Sequence, residues 1–198
     1  MLGLPPITQA LLIINVLAWL LQTQAGDLML YWLALWPVAS PLFEPWQVLT
    51  YAFLHGGLAH LAFNMFGLMM FGAELERVWG PRRFLAFYLI SVLFAALAQG
   101  TVTAMTGSPY PTVGASGGLF GLLVGFAMVF PHRRITPLIP PIPMPAWLFV
   151  TIYGLIELAM GVSGTASGIA HFAHLGGLVG GWLTIRYWRG QLPFGRRR

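Results

Sequence analysis

The residues able to do chemistry are polar side chains set inside apolar runs. Ser116 stands among glycines in "VGASGGLFGLLVGF". His60 and Asn64 lie in "LHGGLAHLAFNMFGL" with His55 just ahead of them, and His171 and His174 lie in "GIAHFAHLGGLVGGW". Glu157 interrupts "YGLIELAMG". A serine hydroxyl is a weak nucleophile until a base within hydrogen-bond reach takes its proton, and histidine is the usual base. Attack on an amide carbonyl creates an oxyanion that needs preorganised donors. His60 and Asn64, four residues apart, share one helix face; a ring N–H and a side-chain amide can both donate. The free N–H groups at the head of a helix opening on Ser116 add to them. Nucleophile Ser116, base His174 and oxyanion donors His60, Asn64 and the Ser116 N–H make a Ser-His dyad that needs no carboxylate.

Other chemistries fit less well. "GASGG" matches the G-x-S-x-G elbow, and Ser116, Glu157, His174 even follow the chain order of an α/β-hydrolase triad, but that motif requires a strand ahead of the serine. "TGSPYPTV" is no such strand, so Glu157 is expected to be protonated or paired inside the fold. His171 and His174 are three apart and His55 is near His60, yet no cysteine and no carboxylate at fixed spacing accompany them; neither metal nor cofactor is expected. His55 and His171 are expected to line water beside the dyad.

The elements that must hold these residues follow from composition. Of 198 residues, 58% are hydrophobic and 8% charged, against about 25% charged in ordinary soluble domains. The solvent is therefore a bilayer, whose hydrocarbon core takes about 20 apolar helical residues to cross. The sequence predicts an all-α membrane protein, one domain over residues 1–198, with six spans at about 7–24, 58–79, 83–105, 116–130, 144–161 and 168–188. The start, "MLGLPPITQA", has no basic n-region, so the first stretch is expected to be a retained span. All the cationic side chains are arginines, and they fall between spans two and three, between four and five, and after six. The positive-inside rule then puts both termini in the cytoplasm and the long loop over residues 26–57 outside. That loop is too apolar for a solvated linker and is expected to lie partly in the membrane. The arginine placement accounts for the net charge of +5 without a nucleic-acid partner.

Depth and proximity are also legible. At the helical rise of about 1.5 Å, the fourth span covers only about 22 Å of a ~30 Å core, so Ser116 lies below the outer surface. His174, six residues into span six, lies about 9 Å down by the same rise, and His60 and Asn64 are in the outer half of span two. Gly117, Gly121 and Gly125 recur every four residues, as do Gly176 with Gly180 and Gly177 with Gly181. Small residues so spaced let helices approach closely, so spans four and six are expected to pack directly and bring Ser116 to His174.

"GASG" at 114–117, "HLAFN" at 60–64 and "AHLGGLVGG" at 173–181 resemble the signatures of rhomboid intramembrane serine proteases, in order and on the second, fourth and sixth spans. The resemblance covers the chain from about Trp46. It implies a six-helix fold, Ser116 as nucleophile, His174 as base and His60 with Asn64 in the oxyanion site, with Gly114, Gly117 and Phe120 supporting. It also implies cleavage of single-span membrane proteins near the outer membrane face, as in regulated intramembrane proteolysis, in a bacterial inner membrane and without cofactor. Glu76, in "FGAELERVWG", would be structural. Gln47 replaces the arginine of many relatives, which puts any ion pair of that arginine in doubt. Phe120 replaces a tyrosine, keeping the stacking on the histidine and losing the hydroxyl. A relative without activity, which binds membrane clients, is the alternative; both dyad residues argue against it.

Overall fold

The computed structural model describes residues 3–137, 140–164 and 170–192. Its elements run α1 (Pro6–Ala25), α2 (Asp27–Leu33), α3 (Gln47–Thr50), a 3-10 turn (Tyr51–Phe53), α4 (Leu58–Gly67), α5 (Ala73–Trp79), α6 (Pro81–Thr106), α7 (Ser116–Val129), α8 (Ala146–Ser163) and α9 (His171–Trp188). A π-helical turn, Leu68–Gly72, joins α4 to α5 in one continuous helix. The two-residue strands β1 (Arg134–Ile135) and β2 (Met144–Pro145) pair antiparallel between α7 and α8. The start assigned to the sixth span, residue 168, lies outside the described residues; the helix begins at His171 and places His174 in its first turn.

Four of these helices, Pro6–Ala25, Leu58–Trp79, Pro81–Thr106 and Ala146–Ser163, are long and apolar enough to cross a membrane. Ser116–Val129 is apolar but shorter. Large side chains facing outward are apolar, among them Leu17, Leu21, Phe63, Leu97, Leu155 and Val179. Such a surface suits lipid and would be untenable in water. The chain is an integral membrane protein.

Helix ends follow from local chemistry. Proline begins α1 and α6, where its missing N–H costs nothing. Between α5 and α6 the chain reverses at Gly80, whose φ of 76° lies where a Cβ would be strained. The buried Glu76 carboxylate accepts from the N–H of Ile7 at 2.9 Å and from the N–H and hydroxyl of Thr8 at 2.7 Å each. A carboxylate there offsets the positive end of the α1 dipole and satisfies donors that would otherwise be unpaired in hydrocarbon.

The short helix α7 sits at the centre, with most of its residues buried, between α6 and α9. Gly177 lies against the carbonyl of Gly117, and a Cβ on Gly181 would come 2.9 Å from the carbonyl oxygen of Gly121. Gly176 and Gly180 face Phe94 of α6 instead, so the two glycine pairs of α9 serve different neighbours. The α7 row meets α6 first: a Cβ on Gly117, Gly121 or Gly125 would run into Ala95, Ser91 or Phe87 respectively, with backbone oxygens of α9 also near at Gly117 and Gly121 and Trp79 at Gly125. Ala95, Ser91 and Phe87 are themselves four apart on α6, so the two rows run along one another.

Candidate active site

Ser116 is the first residue of α7, and the chain reaches it through Gly114, whose φ is 128°. The Gly114 N–H donates to the carbonyl of Tyr51 at 2.9 Å, and the buried Tyr51 hydroxyl donates to the carbonyl of Val92 at 2.9 Å. Just upstream, Leu35 and Thr112 exchange backbone hydrogen bonds of 2.9 and 3.0 Å. The long first loop is thereby sewn to the segment that presents the serine. Burial among apolar groups and Tyr88 pushes the Tyr51 hydroxyl far above its ordinary range, so it stays a neutral donor. Tyr51 carried no signal in the sequence beyond being an apolar-loop tyrosine.

Ser116 Oγ lies 2.8 Å from His174 Nε2. The Gly177 contact to Gly117 makes this possible, since any side chain there would hold α9 away from α7. Phe120, one turn into α7, stacks on the His174 ring with centroids 4.3 Å apart and planes at 6°. The ring is thus held from one face while its Nε2 edge meets the serine.

His60 and Asn64 approach from α4. A Cβ on Gly114 would lie 2.8 Å from His60 Nε2 and 3.6 Å from Ser116 Oγ. Lacking it, Gly114 leaves the space between the hydroxyl and the imidazole open, where a developing oxyanion would sit. Asn64 is buried, and its Nδ2 has no hydrogen-bond partner among the described residues. A buried donor left free costs about 1–3 kcal/mol. His55 packs edge-on against His60, with centroids 5.1 Å apart. Its backbone is clasped by the Gln22 amide, which donates to the His55 carbonyl at 2.8 Å and accepts from its N–H at 3.0 Å. Burial, with His60 alongside, lowers the His55 pKa to about 4.

The residues of the long first loop have other work. Gln47 is fully buried; its amide donates to the Leu42 carbonyl at 2.8 Å and accepts from the Trp36 N–H at 3.3 Å, so it organises the loop without an ion pair. Trp46 is exposed, stacked on Trp32, and donates to the Trp32 carbonyl at 2.9 Å.

Glu157 reaches across from α8. Its Oε2 lies 2.6 Å from His171 Nδ1 and 2.9 Å from His174 Nδ1. Among the described residues, these three side chains form the set that could ligate a metal ion. Around one tetrahedral zinc, however, donor atoms stand about 3.3 Å apart, whereas the 2.6 Å contact to His171 Nδ1 is a hydrogen bond and His174 Nδ1 lies at ion-pair distance. Composition and spacing had marked Glu157 as a group needing a partner and left open which one.

In comparison with known proteins, the Rhomboid domain family matches residues 42–190. The chain belongs to the rhomboid family. Among its relatives, this rhomboid is 37% identical over 141 residues to the Rhomboid protease GluP of Bacillus subtilis, covering 71% of the chain and 25% of that protein. It is 30% identical over 194 residues to the Rhomboid protease GlpG of Photorhabdus laumondii, covering 96% of the chain and 63% of the relative. Rhomboid protein 1 of Saccharomyces cerevisiae mitochondria is 33% identical over 145 residues, covering 69% of the chain and 40% of that protein. The rhomboid therefore spans from a quarter to less than two thirds of the length of these relatives.

Proposed function

We propose that this rhomboid is an intramembrane serine endopeptidase that cleaves single-span membrane proteins near the outer membrane face, with Ser116 as nucleophile and His174 as general base. The observation that carries the reading is the 2.8 Å contact between Ser116 Oγ and His174 Nε2, made between the heads of two helices held together by glycine. In this reading α7 and α9 join the four longer helices as spans, making six. The arginine-bearing connections and both termini face the cytoplasm, the loop over residues 26–57 lies partly in the outer leaflet, and the single domain resides in a bacterial inner membrane.

The chemistry follows from the placement. The substrate carbonyl oxygen enters the space that Gly114 leaves open, facing His60 Nε2, Asn64 Nδ2 and the Ser116 N–H. Ser116 Oγ bonds to the carbonyl carbon as its proton passes to His174 Nε2, and the oxygen takes the negative charge that those donors stabilise. His174 then gives the proton to the amide nitrogen, the C–N bond breaks and an acyl-serine remains. Water, deprotonated by His174, attacks the acyl carbon, and Ser116 Oγ leaves with the proton returned. In this reading water reaches the dyad from the outer side past the histidines, a setting in which polar groups at membrane depth are tolerated.

The test is cleavage by detergent-purified protein of a single-span substrate with a helix-destabilised segment, beside Ser116→Ala and His174→Ala. Both substitutions are expected to abolish cleavage. Cleavage that persists in both would sink the dyad and with it the proposal.

A further inference from the structure

The dyad reading leaves the Glu157 carboxylate without a task, although it stands against the far nitrogen of the base. Gly154, Glu157 and Gly161 are three and four residues apart and so share one face of α8. A Cβ on Gly154 would touch Leu178 at 3.4 Å, and one on Gly161 would crowd His171 Cβ and the Phe172 ring at 3.1–3.2 Å. The two glycines bring α8 close to α9 on either side of Glu157. Elsewhere α8 is lightly held: its buried residues are Ala146 and Phe149, both in its first turns. The carboxylate is therefore a main tie between the later part of α8 and the helix that carries His174.

We infer that Glu157 is a positioning residue for His174: from α8, anchored by His171, its carboxylate holds the base in the tautomer that can take the Ser116 proton. To accept from Ser116 Oγ, His174 Nε2 must be unprotonated, and a neutral imidazole then carries its hydrogen on Nδ1. Glu157 Oε2 stands 2.9 Å from that Nδ1. A carboxylate oxygen at this distance attracts an N–H and repels a lone pair, so it favours the competent tautomer. The alternative tautomer would place two lone pairs face to face and turn Nε2 into a donor toward Ser116. The aligned hydrogen bond of the carboxylate goes to His171 Nδ1 at 2.6 Å, whereas His174 Nδ1 has no aligned partner among the described residues. Alignment of this kind tightens when the base acquires charge in the reaction. In the proton inventory, Ser116 Oγ–H gives its proton to Nε2, the Nδ1 hydrogen stays on Nδ1, and the carboxylate remains ionised beside the imidazolium. Phe120 holds the ring plane; Glu157 selects which edge accepts.

The inference rests on the dyad reading and deepens it, and the experiment separates the two. A fluorophosphonate probe reports the nucleophilicity of Ser116 without requiring a substrate helix to enter: Oγ bonds to phosphorus, fluoride leaves, and His174 takes the hydroxyl proton. Its second-order labelling rate is measured on wild type, Glu157→Gln, Glu157→Asp, Ser116→Ala and His174→Ala, together with kcat and KM for a single-span substrate and each melting midpoint. Glu157→Gln is expected to slow labelling by about 10- to 100-fold, less than the ~10⁴-fold loss when a fully buried, aligned triad carboxylate is neutralised. The kcat should fall by the same factor, with KM unchanged. Glu157→Asp keeps the charge but, one methylene shorter, holds it farther from Nδ1; it should recover most of the rate while staying about three- to tenfold below wild type, and it carries the test should the Gln variant fail to fold. Wild-type labelling in the folded fraction of either variant, or losses that track the melting midpoint alone, would overturn the inference and leave the dyad standing. Labelling or cleavage that survives in Ser116→Ala would instead overturn the function on which it rests.

Discussion

Replacing Gly114 with alanine tests the oxyanion site at its narrowest point. The new Cβ would lie 2.8 Å from both Cε1 and Nε2 of His60, whereas ordinary contact begins at about 3.4 Å. The imidazole must therefore retreat by about 0.6 Å, or the loop ahead of Ser116 must move by as much. A misplacement of ~1 Å at a reacting centre costs about 10²-fold in rate, and loss of an oxyanion donor costs about 10²–10³-fold in kcat. A shift of this size should lower kcat by about 10- to 100-fold. The backbone adds a separate cost, because a φ of 128° is strained for any residue with a Cβ, by about 1–3 kcal/mol. The assay pairs substrate cleavage with thermal unfolding in detergent, on Gly114→Ala, His60→Ala and the double substitution. Since both changes act on the same donor, the double variant should lose far less than the product of the single losses. Cleavage by Gly114→Ala within about threefold of wild type would refute the placement of the oxyanion between Gly114 and His60. Multiplicative losses in the double variant would refute the shared cause.

The Phe120 ring lies parallel to His174 at 4.3 Å, a contact worth about 0.5–1.5 kcal/mol beyond area burial; Phe120→Ala should cut kcat about tenfold, whereas Phe120→Tyr should stay within twofold in the same cleavage assay. His55, with its pKa lowered to about 4 from an unfolded value of about 6.5, binds fewer protons folded than unfolded between those values. Stability should therefore fall as the pH drops from about 6.5 toward 4 and level off below, with a smaller slope in His55→Gln, measured as the melting midpoint against pH; equal slopes in both proteins would remove His55 as the cause.

Part of this molecule could be read in one dimension. A bilayer demands long apolar runs and expels charge, so composition alone announced an integral membrane protein. The same demand made Ser116, His60, Asn64, Glu157, His171 and His174 conspicuous, because each is costly in hydrocarbon. The glycine rows were legible as close-approach faces, since spacing along a helix is a local property. Which face meets which neighbour was not. Gly117, Gly121 and Gly125 read as a face for the sixth span, yet their Cβ sites meet Ala95, Ser91 and Phe87 of α6 first, because the neighbour a row meets is settled only once the helices are in place.

The partners of the polar groups belong to the same category. Nothing local links Tyr51 with Gly114, Gln22 with His55, or Glu157 with both histidines of α9, since each pairing joins separate segments and depends on the rotation of one helix against another. Sequence determined the solvent and singled out the residues whose types could react, through costs each residue bears on its own. Tertiary structure alone decided that Glu157 turns toward His174, because relative rotation and tilt are set by packing summed over whole helices and leave no mark at any single position.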